Sequence, residues 1–217
     1  MAKAAIKTKT SLTVSQEPKV LGIPGMLTAA VTLTVTRKDG SIRERREFLA
    51  KSFVRQFLEM LYAQMSIASV YSPVAARRTD GVYDVILSSG NNFMTDAGAG
   101  ITTYGTIVGT GNTAPTIDDF EMETPIGHGA GAGQLQYGAV SWGAPSSDAS
   151  TSQFTITRNF ANGSGGDITV NEIGLIMNSQ YGDVELNYLT VRDVVGGGIL
   201  VPNGETLTVN YRIQATV

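Results

Sequence analysis

Residues 153–160 read QFTITRNF and, after a glycine-rich loop at 161–167, residues 168–177 read ITVNEIGLIM. The first stretch alternates with period two, so that its two Phe residues, Ile156 and Arg158 fall on one face of an extended chain. Such alternation is typical of a β-strand that is buried on one side. These two stretches therefore predict a protein built from β-sheets.

Similar stretches recur through the second half of the chain. The last one, at 205–217, places Leu207, Val209 and Tyr211 on one face and polar residues on the other. Six or more short strands without intervening helices predict a mainly β protein, with a β-sandwich or jelly roll. The further predicted strands are 82–87, 101–108, 134–142 and 184–194.

The first half predicts a β-hairpin and one amphipathic helix. Residues 29–36 alternate, Lys38-Asp39-Gly40 is a turn signal, and the returning strand at 41–48 is highly charged. A strand this charged is expected to be exposed, or to be buried only by a partner. Residues 48–66 show helical periodicity with a wide apolar stripe, and the aromatic residues of this stripe are expected to lie in the core. The stripe consists of Phe48, Leu49, Phe53, Val54, Phe57, Leu58, Leu61, Tyr62 and Met65.

The pattern divides the chain into three parts. We expect an extended N-terminal arm at 1–26, a hairpin plus helix at 27–80, and a sandwich body at 81–217, with the helix packed on the body to form one domain.

Composition narrows the possible functions. Gly accounts for 25 of 217 residues and charged residues for only 16%, which suits a β protein with much of its surface in subunit contacts. There is no Cys, which excludes disulfides and thiolate catalysis. We expect neither a secretory signal nor a membrane span, and therefore a soluble protein made in a cytoplasm.

Charge is distributed unevenly along the chain. Residues 1–55 hold eleven Lys and Arg against four Asp and Glu, for a net +7, whereas residues 56–217 carry a net −10. This asymmetry has three possible explanations: chance clustering, a basic region that docks on the acidic body of a neighbouring copy, and nucleic-acid contact by the basic region. Nucleic-acid contact is the least favoured of the three, because the acidic body would repel phosphate.

Residues Gly109-Thr110-Gly111-Asn112-Thr113-Ala114 match the dinucleotide fingerprint G-x-G-x-x-G/A. A nucleotide site needs a helix that begins inside the motif. Here Pro115, four acidic residues and more glycines follow, so a turn between strands is the preferred interpretation, and a nucleotide-binding enzyme is the outside alternative. The acidic residues are Asp118, Asp119, Glu121 and Glu123.

No constellation of catalytic residues is visible. His128 is the single histidine and lies in a glycine run, without a second ligand or an orienting partner. The acidic run at 118–123 lacks the order of an EF-hand, so a solvated loop is preferred over a calcium site. We therefore expect no enzyme activity, no metal and no cofactor.

One polar pair is predicted inside the sheet. If 153–160 and 168–177 formed a hairpin across the loop at 161–167, Arg158 would lie diagonally from Glu172 on the apolar face. We expect an inward or interfacial ion pair between them, against the alternative that both ends reach water. Arg192 and Asp193 are candidates for a similar network.

Several stretches resemble a cassette found in structural proteins of tailed bacteriophages. They are IVGTGNTAPTIDDFEMETPI at 107–126, FTITRNFANGSGGDITVNEIGL at 154–175, LTVRDVV at 189–195 and VPNGETLTVNYRI at 201–213. The likeness covers roughly 104–217, about half the chain. It implies a virion β-sandwich, and no enzymatic residues come with it.

The resemblance implies a structural subunit of the virion that associates with copies of itself and with other virion proteins, without membrane or specific nucleic-acid contacts. A ring-forming neck, tail or baseplate component is preferred, and a capsid decoration protein is the alternative. A host- or carbohydrate-binding module would instead use exposed aromatics, with Trp142 and Tyr181 as candidates. The expected subunit interface consists of Lys3, Lys7, Lys9, Lys19, Arg43, Arg45 and Arg46.

Overall fold

The computed structural model describes residues 27–50, 52–66, 71–87, 91–181 and 184–217. Within these ranges the chain forms thirteen strands and one helix. In chain order they are β1 (Leu27–Thr36), β2 (Ile42–Ala50), α1 (Arg55–Met65), β3 (Tyr71–Arg77), β4 (Tyr83–Leu87), β5 (Asn91–Met94), β6 (Gly105–Gly109), β7 (Gln136–Tyr137), β8 (Ser141–Trp142), β9 (Ser146–Ser147), β10 (Thr151–Ala161), β11 (Ile168–Tyr181), β12 (Val184–Val201) and β13 (Thr206–Thr216).

The strands form two large sheets and one small one. The first sheet has the order β2-β1-β13-β10-β7, with β8 and β9 also paired to β10. The second has the order β12-β11-β5, with β6 also paired to β11, and β3 and β4 form a separate hairpin. All of these ladders are antiparallel.

Both large sheets contribute to one hydrophobic cluster. It contains Val31 and Tyr211 from the first sheet, Ile173 and Val191 from the second, and Met60 from the helix. The predicted mainly β fold with a single packed helix is thus confirmed as a β-sandwich; jelly-roll connectivity stays a prediction. The expected arm at 1–26 lies outside the described residues.

The predicted hairpin at 27–48 is confirmed as β1 and β2. Val31 lies opposite Phe48, and Arg37 and Ser41 are joined across the turn by a backbone hydrogen bond. Gly40 has φ +82°, a left-handed conformation that glycine adopts without the steric cost of a Cβ atom. β2 is partly exposed along its length and forms one edge of the first sheet.

The predicted hairpin between 153–160 and 168–177 is wrong. β10 pairs with β13 in the first sheet, whereas β11 pairs with β12 in the second. The loop between β10 and β11 therefore crosses from one sheet to the other. Asn162 stabilises this crossing, because its side-chain amide donates to the carbonyls of Gly166 at 2.9 Å and Val201 at 2.7 Å.

The helix is shorter than predicted. Phe48 and Leu49 continue β2, and residues 52–54 run along β12, where Phe53 bridges to Val191, before α1 begins at Arg55. Backbone pairing in two sheets thus takes up the first part of the predicted helix.

The predicted boundaries of the other strands shift in the glycine-rich regions. The strand expected at 101–108 is β6, and the one expected at 134–142 is divided into β7 and β8. The strands expected at 82–87 and 184–194 are observed as β4 and β12, with β12 continuing to Val201.

Candidate functional site

The fingerprint-like loop after β6 encloses carboxylates of its own chain. Glu123 Oε2 accepts hydrogen bonds from the backbone N–H groups of Asn112 at 2.6 Å and Thr113 at 2.8 Å, and from the Thr113 hydroxyl at 2.9 Å. Gly111 is required here, because a Cβ atom would lie 2.6 Å from Glu123 Cβ and from Glu172 Oε1. The donors that a phosphate would need are thus used internally.

No helix begins in this loop, and β6 runs antiparallel to β11 rather than in a parallel β-α-β unit. Both requirements of a dinucleotide site are absent from this part of the chain. The geometry supports the interpretation of the motif as a turn between strands.

Arg192 on β12 is the centre of a buried network. Its Nε donates to Glu172 Oε2 at 3.0 Å, and Nη1 donates to Asp119 Oδ2 at 2.8 Å. Its Nη2 lies 3.3 Å from both Thr113 Oγ1 and Glu123 Oε2. The guanidinium therefore joins the loop at 112–123 to the neighbouring strands β11 and β12 of the second sheet.

Glu172, which is fully buried, is held by three donors. Besides Arg192, the backbone N–H groups of Thr124 at 2.7 Å and Glu123 at 3.2 Å bind its carboxylate. A buried carboxylate is tolerated when its lone pairs are filled in this way.

The network shifts the acidity of the loop carboxyls. Backbone and hydroxyl hydrogen bonds from Thr113 lower the pKa of Glu123 below its ordinary value. Burial raises the pKa of Asp119, but hydrogen bonds from Thr116 and Arg192 outweigh it, so the net pKa is lowered. Asp119 is half-buried and Glu123 is exposed, so both keep contact with solvent, as expected for a solvated run, while these hydrogen bonds hold their carboxylates in place.

Arg158 is also buried, but it has a different set of partners. Its guanidinium donates to five backbone carbonyls, those of Gly98, Ile101, Tyr104, Thr106 and Gly138, at 2.6–3.4 Å. It also lies over the Tyr137 ring, 4.9 Å from the centroid. Burial lowers the pKa of Arg158 to about 10, so the group is still a cation at neutral pH.

The predicted ion pair between Arg158 and Glu172 is therefore wrong. Both side chains point inward, as the alternation indicated, and neither reaches water. They do not pair with each other because β10 and β11 belong to different sheets. Glu172 instead pairs with Arg192. Nothing in the sequence indicated that the acidic stretch at 119–123 would also bind Arg192.

His128 lies in a glycine-rich loop on the surface. The backbone N–H of Tyr137 donates to its Nδ1 at 3.0 Å, which gives the imidazole a structural role. Among the described residues, no group of three or more His, Cys, Asp or Glu side chains is arranged to hold a metal ion.

The two aromatic candidates for ligand binding are Trp142 and Tyr181. The Trp142 ring is 47% exposed and stacks on Phe154 with 5.7 Å between centroids. The side chain of Tyr181 lies outside the described residues.

The arginines predicted for a subunit interface lie on the edge strand β2. Arg43 forms a two-pronged ion pair with Glu205, Arg46 donates to Glu44 at 2.6 Å, and Arg45 lies 3.9 Å from Glu47. Their contact with another subunit stays a prediction. Lys3, Lys7, Lys9 and Lys19 lie outside the described residues.

A groove opens between two strands of different sheets. It has a volume of about 500 Å³ and is lined by residues 46–49 of β2 and 193–196 of β12. The Arg46 guanidinium spans it, donating to the Gly196 carbonyl at 3.0 Å. Within the described residues, β2 pairs with β1 alone, so its other backbone edge is unpaired.

The helix presents an unexpected face to solvent. The side chains that α1 buries are Gln56, Met60 and Ala63. Four members of the apolar stripe, Leu58, Leu61, Tyr62 and Met65, are exposed instead, at 64%, 36%, 52% and 78%. The prediction that the aromatic residues of the stripe lie in the core was wrong for Tyr62, whereas Phe48, Phe53 and Phe57 pack against the core cluster.

Comparison of the chain with protein-family models, curated proteins and solved structures found no match. Within the described part of the chain, no helix combines the length and the apolar character needed to cross a bilayer.

Proposed function

We propose that this protein is a structural subunit of a tailed bacteriophage virion, and specifically a ring-forming neck, tail or baseplate component. Copies would associate through the N-terminal arm and through strand pairing. The proposal rests on the sequence resemblance at 104–217 together with the surfaces described above.

The observation that carries the proposal is the open edge of β2 beside the groove. An edge strand offers a row of N–H and C=O groups that another chain can extend. The closely spaced charges of both signs at 43–47 discourage pairing with arbitrary strands and favour a partner of complementary charge. A head-to-tail contact of this kind either closes into a ring or continues as a filament.

The two buried arginine networks fit a structural role. They tie the loops at 98–106 and 112–123 to the sheets, which makes the body rigid. A rigid body keeps its arms and edges in a defined orientation, as a repeating assembly needs.

Native mass spectrometry of the purified full chain at low and moderate salt tests the proposal. A discrete closed oligomer, on the order of six or twelve copies, supports a ring, and its dissociation as salt rises supports charge steering between the basic arm region and the acidic body. A trimer favours the decoration alternative. A monomer at all salt concentrations counts against self-assembly through the arm.

Deletion of residues 2–20 is the companion variant. It removes Lys3, Lys7, Lys9 and Lys19 and should leave the body folded while weakening assembly. Equal assembly of the truncated and full chains would reject the arm. Circular dichroism of the same samples separates loss of assembly from loss of folding.

Trp142 favours a second candidate, a carbohydrate-binding module. Trp142 is the single Trp of the chain, so its fluorescence reports directly on a sugar that stacks on the exposed ring. Quenching that saturates with a host-surface glycan, and that is absent with an unrelated glycan, would support this candidate over the assembly role. Unchanged fluorescence rejects it.

A further inference from the structure

A polar pocket of about 300 Å³ opens beside the first turns of α1. Three separate parts of the chain form its walls. Helix α1 supplies Arg55, Gln56 and Glu59, the hairpin of β3 and β4 supplies Arg77 and Tyr83, and the loop after β6 supplies Asp118. The backbone N–H of Arg55 donates to the Ile117 carbonyl at 3.0 Å, which joins the start of the helix to that loop.

Two acceptor atoms of this pocket are buried without a donor. Gln56 is 2% exposed, and within the described residues its Oε1 has no hydrogen-bond partner. Glu59 Oε2 is likewise buried and has no partner in that part of the chain. The two residues are three positions apart on α1, so they lie on the same side of the helix. Because buried polar atoms are ordinarily paired, two such acceptors at one pocket indicate a ligand that donates hydrogen bonds.

The two cations of the pocket already have partners. The Arg55 guanidinium binds the Asp118 carboxylate. The Arg77 guanidinium lies over the Phe120 ring, 3.5 Å from its centroid, and its Nε donates to the Gly81 carbonyl at 3.2 Å. An anionic ligand would bring further acceptors against the two unpaired oxygens, so the pocket favours a donor.

The charge of Glu59 is only partly compensated. Burial raises the pKa of its carboxyl above the ordinary value for Glu, and the opposing attraction of Arg55 is the smaller effect. Among the described residues, Glu59 forms no salt bridge. A ligand cation that carries N–H groups supplies both the charge and the donors, and charge-assisted hydrogen bonds are stronger than neutral ones.

We propose that this pocket binds a primary ammonium group, which donates to Gln56 Oε1 and Glu59 Oε2 with two of its three N–H bonds. Tyr83, which lines the pocket and is 61% exposed, supplies an apolar ring for the alkyl chain that carries the ammonium. A free alkylamine and a lysine side chain of another protein both present this group. The site is separate from the edge of β2 and does not depend on the proposed assembly.

Ligand-observed saturation-transfer NMR on the purified full chain tests the site. The probe is n-butylammonium. Of its two controls, n-butyltrimethylammonium keeps the charge without N–H groups, and butan-1-ol keeps a donor without the charge. We expect the probe to bind on the order of tenfold tighter than either control, because it alone combines charge with several donors. Equal affinity for either control overturns the proposal.

A pair of variants locates the binding. Glu59→Gln removes the charge at nearly unchanged size and should weaken n-butylammonium binding on the order of tenfold. Glu185→Gln is the matched control, because Glu185 is exposed and does not line the pocket, and it should bind as the wild type does. Circular dichroism checks that both variants are folded. Equal binding by the two variants overturns the site.

A second probe distinguishes the two sources of the ammonium group. Nα-acetyl-lysine N-methylamide carries the same group on a peptide backbone. Tighter binding of this probe than of n-butylammonium supports a lysine of another protein as the ligand, whereas weaker binding supports a free amine. Binding of neither probe to the wild type overturns the proposal.

Discussion

Arg158 and Arg192 are both buried cations, yet their surroundings are opposite in kind. Arg192 is 2% exposed and contacts three carboxylates, Asp119, Glu123 and Glu172. Arg158 is 0% exposed and, among the described residues, forms no salt bridge; five neutral carbonyls and an aromatic face surround it.

The difference shows two ways to hold an irregular loop against a sheet. Arg158 collects backbone carbonyls, so backbone dipoles and the face of the Tyr137 ring solvate its charge. Arg192 collects carboxylates, so its removal leaves like charges facing one another. The same guanidinium fork thus leads to different consequences on mutation.

The largest effect is expected for Arg192→Met. The variant leaves buried Glu172 without its cation, and loss of one partner of a buried ion pair costs about 3–5 kcal/mol. Urea unfolding followed by circular dichroism measures the free energy of unfolding. A loss below about 1 kcal/mol would show that the network does not act as a charge pair.

A double variant sharpens the same point. Adding Glu172→Gln to Arg192→Met should recover part of the lost free energy, because the uncompensated charge is removed. Adding Glu172→Gln to Arg158→Met should give no recovery, since these two residues do not contact. If adding Glu172→Gln recovered free energy in the Arg158→Met background, the result would indicate that Arg158 and Glu172 form the ion pair that the sequence predicted.

Arg158→Met should cost somewhat less, about 2–4 kcal/mol. It leaves buried carbonyls without donors, but those groups are neutral. Urea unfolding is again the measurement. A loss larger than that of Arg192→Met would reverse the comparison.

Gly111→Ala should cost about 2 kcal/mol, because the new methyl group enters the Arg192 network and overpacks it. Gly166→Ala is the matched control: a Cβ atom there has no neighbour within 4 Å, and its φ lies outside the left-handed region. Thermal unfolding of both variants is compared with the wild type. Equal melting temperatures for the two would contradict the close approach.

The smallest effect is a difference in pH dependence. The pKa values of Asp119 and Glu123 are lower in the folded protein than in the unfolded chain, so the unfolded chain binds more protons below about pH 4.5, the ordinary pKa of Glu. This contribution to stability is present above that pH and is lost as the pH falls through the lowered pKa values.

Arg192→Met should therefore lose less stability than the wild type between pH 5 and about 3, because one cause of the lowered pKa values is gone. Arg158→Met should keep the slope of the wild type. Urea unfolding at a series of pH values measures the three slopes, and identical slopes for the wild type and Arg192→Met would contradict the charge network.

Local patterns in the sequence were sufficient for the strands and for the direction of several side chains. Alternation correctly placed Arg158 on the buried face with Ile156 and Phe160, and Asp39-Gly40 correctly marked the first turn. The same patterns could not identify the partners, because pairing depends on which sheet each strand joins. Arg192 meets Asp119 from a segment 73 residues away.

The alternation of apolar and polar residues determined by itself that this chain forms one-sided strands, since side chains of a strand point to opposite faces in turn. The helical periodicity within 48–66 determined that a helix follows the first hairpin. Only the tertiary structure decided that the chain crosses between sheets after β10, that Glu172 pairs with Arg192, and that α1 turns Gln56 inward and Leu58 outward. The physical reason is that burial is a property of the assembled layers: periodicity defines two faces of an element, and long-range packing selects which face is covered.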